Sequence, residues 1–142
     1  MSAYIAEWLR RLVIERANNQ CEYCLIPLNI TFVLCHIDHI IAQKHGGLTV
    51  SENLASTCAL CNRFKGSDLV SIDNETGAIV ELFHPRNQKW SEHFALRDGL
   101  IFPLTAVGRV TVTLLQLNRP ERVAERDFLF REGILPLISS DL

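Results

Sequence analysis

The chain has 142 residues, of which 48% are hydrophobic, and its formal net charge is −2. This length suffices to bury one core but hardly two, so we expect a single domain over residues 1–142. The sequence lacks an apolar run of membrane-spanning length, and charged residues interrupt the first twenty, unlike a secretory leader. These features predict a cytoplasmic protein without a membrane anchor. The net charge neither favours nor excludes nucleic acid as a partner, because non-specific affinity comes from local Lys and Arg.

The first half of the chain predicts a helix, two strands and a second helix. Apolar residues at helical spacing predict an amphipathic helix over residues 3–18. Residues 30–34 are β-branched, aromatic or aliphatic and predict a strand. Gly46-Gly47 predicts a loop, and the short helix that follows the last cysteine pair is expected to end at Gly66.

The second half predicts a small sheet followed by two helices. Residues 79–83 have the composition of a strand, and Asp98-Gly99 is typical of a hairpin turn. The helices are expected over residues 105–118 and from Pro120, in a favourable first-turn position, to about Gly133. The elements together predict an α+β fold.

Four of the five cysteines form two Cys-x-x-Cys pairs, Cys21 with Cys24 and Cys58 with Cys61. Four thiolates in two chelating pairs supply the ligands of a closed tetrahedral zinc site. An odd number of cysteines argues against a disulfide framework. We therefore predict one structural Zn²⁺ held by these four residues, and we expect the fifth, Cys35, to be buried.

Between the cysteine pairs lies His36-Ile37-Asp38-His39, followed by a Gly-Gly loop and Asn53, with Asn62 directly after the last cysteine. Residues 21–68 resemble the HNH endonuclease family in its four-cysteine form, as found in small bacterial HNH proteins. The resemblance implies a ββα-metal, or His-Me finger, core of the kind also found in the HNH domain of the RNA-guided CRISPR nucleases. The helix over residues 3–18 would precede this core, and residues 69–142 would form a C-terminal extension.

The resemblance also implies a role for each polar residue. His39 would be the general base, Asp38 a ligand of the catalytic metal, Asn53 the middle asparagine of the motif, and Asn62 the second ligand. Asn62 stands where the family more often has histidine, and its amide oxygen is a hard ligand suited to Mg²⁺ or another divalent ion. One such ion and a histidine base imply phosphodiester hydrolysis that leaves 5′-phosphate and 3′-hydroxyl ends.

The roles of two residues stay open in the sequence. Strand alternation places His36 on the same face as Asp38. Its role would be that of a third metal ligand, a partner of a ligand, or a strand histidine without a catalytic part. Asn53 would hold the loop between the strands, orient His39, or simply form a turn.

The adjacency of Asp38 and His39 carries a structural requirement. In a regular strand, neighbouring side chains point to opposite faces, so two neighbours can serve one phosphate only where the strand twists or ends. We therefore predict an irregularity or a strand end at this pair.

Basic residues are the candidates for contact with nucleic acid. Lys65 and Arg63 flank the end of the short helix and are candidate phosphate contacts, although charges beside a zinc knuckle are also often merely solvated. Further along the chain, other basic side chains are candidates for a nucleic-acid groove, namely Arg86, Lys89, Arg97, Arg109, Arg119 and Arg122.

The sequence thus predicts a metal-dependent endonuclease that acts on nucleic acid, most simply double-stranded DNA. The competing hypothesis is a zinc-stabilised module that binds nucleic acid or protein without cutting. A purely structural zinc domain is a third possibility, but it would not explain Asn53 together with Asn62. Sequence specificity and oligomeric state are left open.

Overall fold

A computed structural model describes residues 4–29 and 35–134 of the chain. Its helices and strands are, in chain order, α1 Glu7–Arg16, β1 Cys35–His39, β2 Leu54–Cys58, α2 Ala59–Lys65, β3 Val70–Ile72, β4 Ile79–Glu81, α3 Trp90–His93, β5 Phe94–Arg97, β6 Leu100–Pro103, α4 Ala106–Leu114 and α5 Pro120–Arg131. The fold is α+β, as predicted. The strand expected over residues 30–34 lies outside the described residues. Within those residues, no helix is long and apolar enough to cross a membrane.

The centre of the fold is a ββα unit made of β1, β2 and α2. The two strands pair antiparallel, from Cys35 opposite Cys58 to His39 opposite Leu54. Strand β2 is buried along its whole length, and α2 packs against both strands. Helix α2 begins at a cap in which the Cys58 sulfur accepts the backbone N–H of Cys61, and it ends at Gly66 as predicted.

Helix α1 covers the outer side of this unit. Its buried residues Leu9 and Val13 pack against Leu54 of β2. The helix is shorter than the predicted span, and Asn18 and Asn19 follow it with positive φ angles of 53° and 58°. Asparagine tolerates this left-handed conformation better than most residues, which explains why the chain turns here.

The C-terminal half forms two separate two-stranded sheets, β3 with β4 and β5 with β6. The predicted Asp98-Gly99 turn joins β5 to β6, with φ angles of 52° and 82°. Helix α4 packs on β3, β4 and β6, and α5 packs on β6. Helix α4 ends earlier than predicted because the chain turns at Gln116, where φ is 51°, and Asn118 bonds both backbone groups of Ile101.

The main core joins the two halves of the chain. It contains the four paired cysteines together with large apolar side chains from both halves of the chain, including Tyr23, Phe83, Trp90, Phe94, Ile101 and Leu129. The cysteine cluster is therefore enclosed by the C-terminal half rather than standing at the protein surface.

Candidate active site and metal centre

The four predicted zinc ligands converge on one buried point. The Sγ atoms of Cys21, Cys24, Cys58 and Cys61 all lie within 4.8 Å of one another. Cys24 Sγ and Cys58 Sγ are 3.7 Å apart, close to the sulfur–sulfur edge of about 3.8 Å that a tetrahedron with Zn–S bonds of about 2.3 Å requires. The backbone N–H of Cys24 donates to Cys21 Sγ, and that of Cys61 donates to Cys58 Sγ. This geometry is consistent with a structural zinc site.

Electrostatics explain why this cluster favours a cation. Burial raises the pKa of the Cys21 thiol well above its ordinary value. The pKa of Cys58 is lowered instead, because side-chain hydrogen bonds from its three neighbours favour its thiolate. Without a metal, only part of the cluster is therefore ionised. A bound divalent ion would allow all four thiols to ionise. Cys35 stands outside the cluster and is half-buried, with its Sγ 3.5 Å from Ser56 Oγ.

Asp38, His39 and Asn62 line one open cavity of about 340 Å³. Strand β1 ends at His39, as the sequence predicts, which allows two neighbouring side chains to reach the same space. Asn62 comes from α2, the helix that packs on this strand. The cavity is completed by Ile37, Ala42, Gln43, Gly66 and Ser67. His36 is not among the residues that line it, so the structure gives no support for a third ligand.

The imidazole of His39 is held by a residue that the sequence did not single out. His39 Nε2 lies 2.9 Å from the hydroxyl oxygen of Thr49. When Nε2 carries the hydrogen and donates it to Thr49, Nδ1 is the bare nitrogen that can accept a proton. No local pattern could have identified Thr49, because it reaches His39 only through the shape of the loop between β1 and β2.

Asn53 holds that loop rather than bonding His39. Its Oδ1 accepts the backbone N–H of Ile41 at 2.9 Å, and its Nδ2 donates to the carbonyl oxygens of Ile41 and Leu48 at 3.0 and 2.9 Å. The backbone of Gly47 lies so close that an added Cβ would be 1.7 Å from the Ile41 oxygen. Of the possibilities open in the sequence, the structure thus matches the loop-holding one.

Lys65 has a different position from the one predicted. Its side chain is only 2% exposed, and its Nζ lies 2.9 Å from Asp38 Oδ2 and 3.3 Å from the backbone oxygen of His39. A buried ammonium bound in this way cannot reach a phosphate at the surface, so the predicted phosphate contact is not supported. Lys65 lies four residues after Cys61 on α2, and this spacing on a buried helix face was a signal of its position. Arg63, by contrast, is exposed.

Asp38 is a buried carboxylate with an unusual environment. Burial raises its pKa, and the neighbouring charge of Lys65 opposes that shift. Its Oδ2 lies 2.9 Å from the Lys65 ammonium, so the carboxylate is held in a buried ion pair.

Comparison with known proteins places this site in a family. The model of the HNH endonuclease family matches residues 21–68. Residues 21–68 are an HNH endonuclease domain. The matched segment contains both cysteine pairs together with Asp38, His39 and Asn62 of the cavity, and it supports a nuclease-type function.

Two curated proteins are similar to a longer part of the chain. The CRISPR-associated endonuclease Cas9 of Corynebacterium diphtheriae is 30% identical over 96 residues, which are 67% of this chain and 9% of that protein. The Septu protein PtuB of Bacillus thuringiensis is 25% identical over 118 residues, 82% of this chain and 43% of that protein. The chain therefore spans less than half the length of both relatives.

Five of the six candidate basic residues outside residues 21–68 have partners within the protein. Four of them form ion pairs, Arg86 with Glu22, Arg109 with Asp73, Arg119 with Glu121 and Arg122 with Glu125. The guanidinium of a fifth, Arg97, lies over the ring of Phe102. That some of these residues contact nucleic acid stays a prediction.

Proposed function

We propose that this HNH domain hydrolyses phosphodiester bonds in DNA, with His39 as general base and with Asp38 and Asn62 holding one divalent ion, Mg²⁺ or a similar metal. The observation that carries the proposal is the convergence of these three side chains on one open cavity. The cysteine cluster, as a structural Zn²⁺ site, would fix β2 and α2 and hence the cavity wall. Asn53 would support the site through the loop.

The residues present fit a hard divalent ion. A carboxylate and an amide oxygen are ligands of the type that Mg²⁺ takes, with water and a phosphate oxygen completing its shell. When bound, such an ion supplies Lewis-acid polarisation of the phosphate and stabilises the departing 3′ oxygen. The neighbouring Lys65 favours the ionised form of Asp38 that metal binding requires.

The protein's own part in the reaction centres on His39. Its Nδ1 would take the proton from an attacking water while Thr49 holds the opposite side of the ring. The water oxygen bonds to phosphorus as the bond from phosphorus to the 3′ oxygen breaks, so the products carry 5′-phosphate and 3′-hydroxyl ends. Thr49 is thus a positioning residue, since it sets the orientation and the tautomer of the base.

The competing hypothesis is a module that binds nucleic acid or protein without cutting. The ordered contact from His39 to Thr49 and the shared cavity favour catalysis over it, because binding alone needs neither. The proposed DNA contact includes the exposed Arg63, which lies next to Asn62 on α2. Double-stranded DNA is the proposed substrate.

The test is cleavage of supercoiled plasmid by zinc-loaded protein with Mg²⁺, with Mn²⁺ or with neither ion, followed by end labelling of the products. We expect cleavage only with an added ion, 5′-phosphate ends, and loss of activity in Asp38→Asn. Asp68→Asn is the matched control, since Asp68 is an exposed carboxylate outside the cavity. Tight DNA binding without cleavage under every condition would favour the binding module and overturn the proposal.

A further inference from the structure

Arg126 of helix α5 is a completely buried cation. Its exposure is 0%, and its guanidinium donates to neutral oxygens only, those of Gly99, Leu117, Cys24 and the Asn118 side chain, at 2.7 to 3.4 Å. Among residues 4–29 and 35–134, no carboxylate forms an ion pair with it. A buried charge needs a compensating charge nearby. One of its hydrogen bonds, to the Cys24 backbone, points to the cysteine cluster.

Arg122, one helical turn earlier on α5, is also buried, with 8% exposure. Its Nη1 bonds Glu125, a partly exposed carboxylate, at 2.6 Å. Its Nε is fully enclosed and has no acceptor within the part of the chain that the structure describes. Arg122 lies four residues before Arg126 and so shares its helix face, and Arg126 donates to the Cys24 backbone oxygen. An unsatisfied donor therefore lies on the face of α5 that contacts the cysteine segment.

We propose that Arg122 and Arg126 are the cationic partners of the metal–thiolate cluster, so that α5 docks onto the HNH domain as part of the metal site. The inference rests on the proposed Zn²⁺ at the four cysteines. Four thiolates and one Zn²⁺ leave a charge of −2. Arg126, which has no carboxylate partner among the described residues, would offset part of this charge, and Arg122 would share its own charge between the cluster and Glu125. The Arg122 Nε–H would gain a sulfur acceptor, and the charge of Arg126 would gain the anion that its carbonyl partners do not supply.

The consequence is a coupling between metal binding and the C-terminal half. Helix α5 lies well outside residues 21–68, yet its docking would strengthen Zn²⁺ binding. Bound Zn²⁺ would in turn stabilise the docked position of α5 by the same free energy. Outer partners of metal ligands typically contribute 10-fold to 100-fold to metal affinity. We expect removal of the Arg122 charge to weaken Zn²⁺ binding by a factor in this range.

The experiment measures the Zn²⁺ dissociation constant by chelator competition in the natural protein, Arg122→Met, Arg122→Lys and Arg131→Met. Arg131 is the control, because it lies on the same helix with a side chain that is 73% exposed. We expect weaker binding in Arg122→Met, partial recovery in Arg122→Lys, which keeps the charge, and natural affinity in Arg131→Met. Equal affinity in all four proteins would overturn the inference.

A second measurement covers the case in which Arg122→Met does not fold. With Co²⁺ in place of Zn²⁺, a hydrogen bond to sulfur lowers the energy of the sulfur electrons and so raises the energy of the sulfur-to-cobalt absorption. Arg122→Lys removes the Nε–H that would form this bond, so the absorption should shift to longer wavelength in that variant. Identical spectra in Arg122→Lys and the natural protein would contradict the inference. If the natural protein binds neither ion, the zinc assignment itself fails, and that result is distinct from tight binding that is unaffected by Arg122.

Discussion

Replacement of Asn53 by alanine should open the loop that carries Thr49. The substitution removes three hydrogen bonds, one accepted from Ile41 and two donated to Ile41 and Leu48. Each contributes about 1 kcal/mol net, so the loop should lose about 3 kcal/mol. That is roughly a hundredfold in the equilibrium between the closed and the open loop, since about 1.4 kcal/mol corresponds to a factor of ten. His39 would then lose its partner for much of the time.

Two assays test this expectation. Amide hydrogen exchange should be faster between residues 41 and 49 in Asn53→Ala, while helix α4 keeps its protection. Plasmid cleavage should fall by one to two orders of magnitude, whereas Asn74→Ala, at an exposed turn asparagine, should cleave normally. If Asn53→Ala leaves both the exchange and the cleavage unchanged, Asn53 does not hold the loop, and the reasoning from its contacts is wrong.

Four further predictions follow from other contacts. Thr49→Val, which removes the hydroxyl at nearly constant volume, should lower cleavage about 10-fold without changing thermal stability, and Thr49→Ser should restore it; normal cleavage by Thr49→Val would refute the positioning role. Lys65→Met should destabilise the fold by about 3–5 kcal/mol in urea unfolding, since it leaves a buried carboxylate unpaired. It should also raise the pKa of Asp38 further, so that the acid limit of cleavage moves to higher pH; an unmoved limit would count against the ion pair. Cys58→Ser should bind less than one equivalent of zinc by elemental analysis and unfold at lower temperature than the natural protein; full zinc content would exclude Cys58 as a ligand. Arg109 holds the pKa of Asp73 well below its usual value of about 3.9, so the ionised carboxylate stabilises the fold above about pH 4 and this contribution is lost as the pH falls further. The stability difference between natural protein and Asp73→Asn should therefore shrink in acid, and a constant difference would contradict it.

Local chemical patterns made the metal cluster and several turns predictable. Each Cys-x-x-Cys pair brings two sulfurs together through local backbone geometry, and two such pairs supply the four ligands of a zinc site. The turn at Asp98-Gly99 and the helix end at Gly66 follow from backbone conformations that few other residues accept. These are properties of a few neighbouring residues, so one sequence is enough to reveal them.

Contacts between distant segments could not be predicted in this way. Thr49 meets His39 only because the loop has one particular path, and the path depends on Asn53 and Gly47 together. Lys65 was expected at the surface because free lysine is usually solvated, yet it pairs with Asp38 of another element. The burial of Arg126 in α5 gave no local signal, since its contact with the Cys24 backbone joins residues that are 102 positions apart in the chain.

The most direct test of the proposed nuclease activity compares natural protein with His39→Ala in Mg²⁺-dependent plasmid cleavage under single-turnover conditions. Both proteins should first be shown to hold the same amount of zinc and to bind DNA equally, so that only the proton transfer differs. We predict that the natural protein nicks the plasmid and that His39→Ala is slower by at least a hundredfold, within the range of about 10² to 10⁴ that a general base contributes. Equal rates in the two proteins would show that His39 is not the base and would contradict the proposed mechanism.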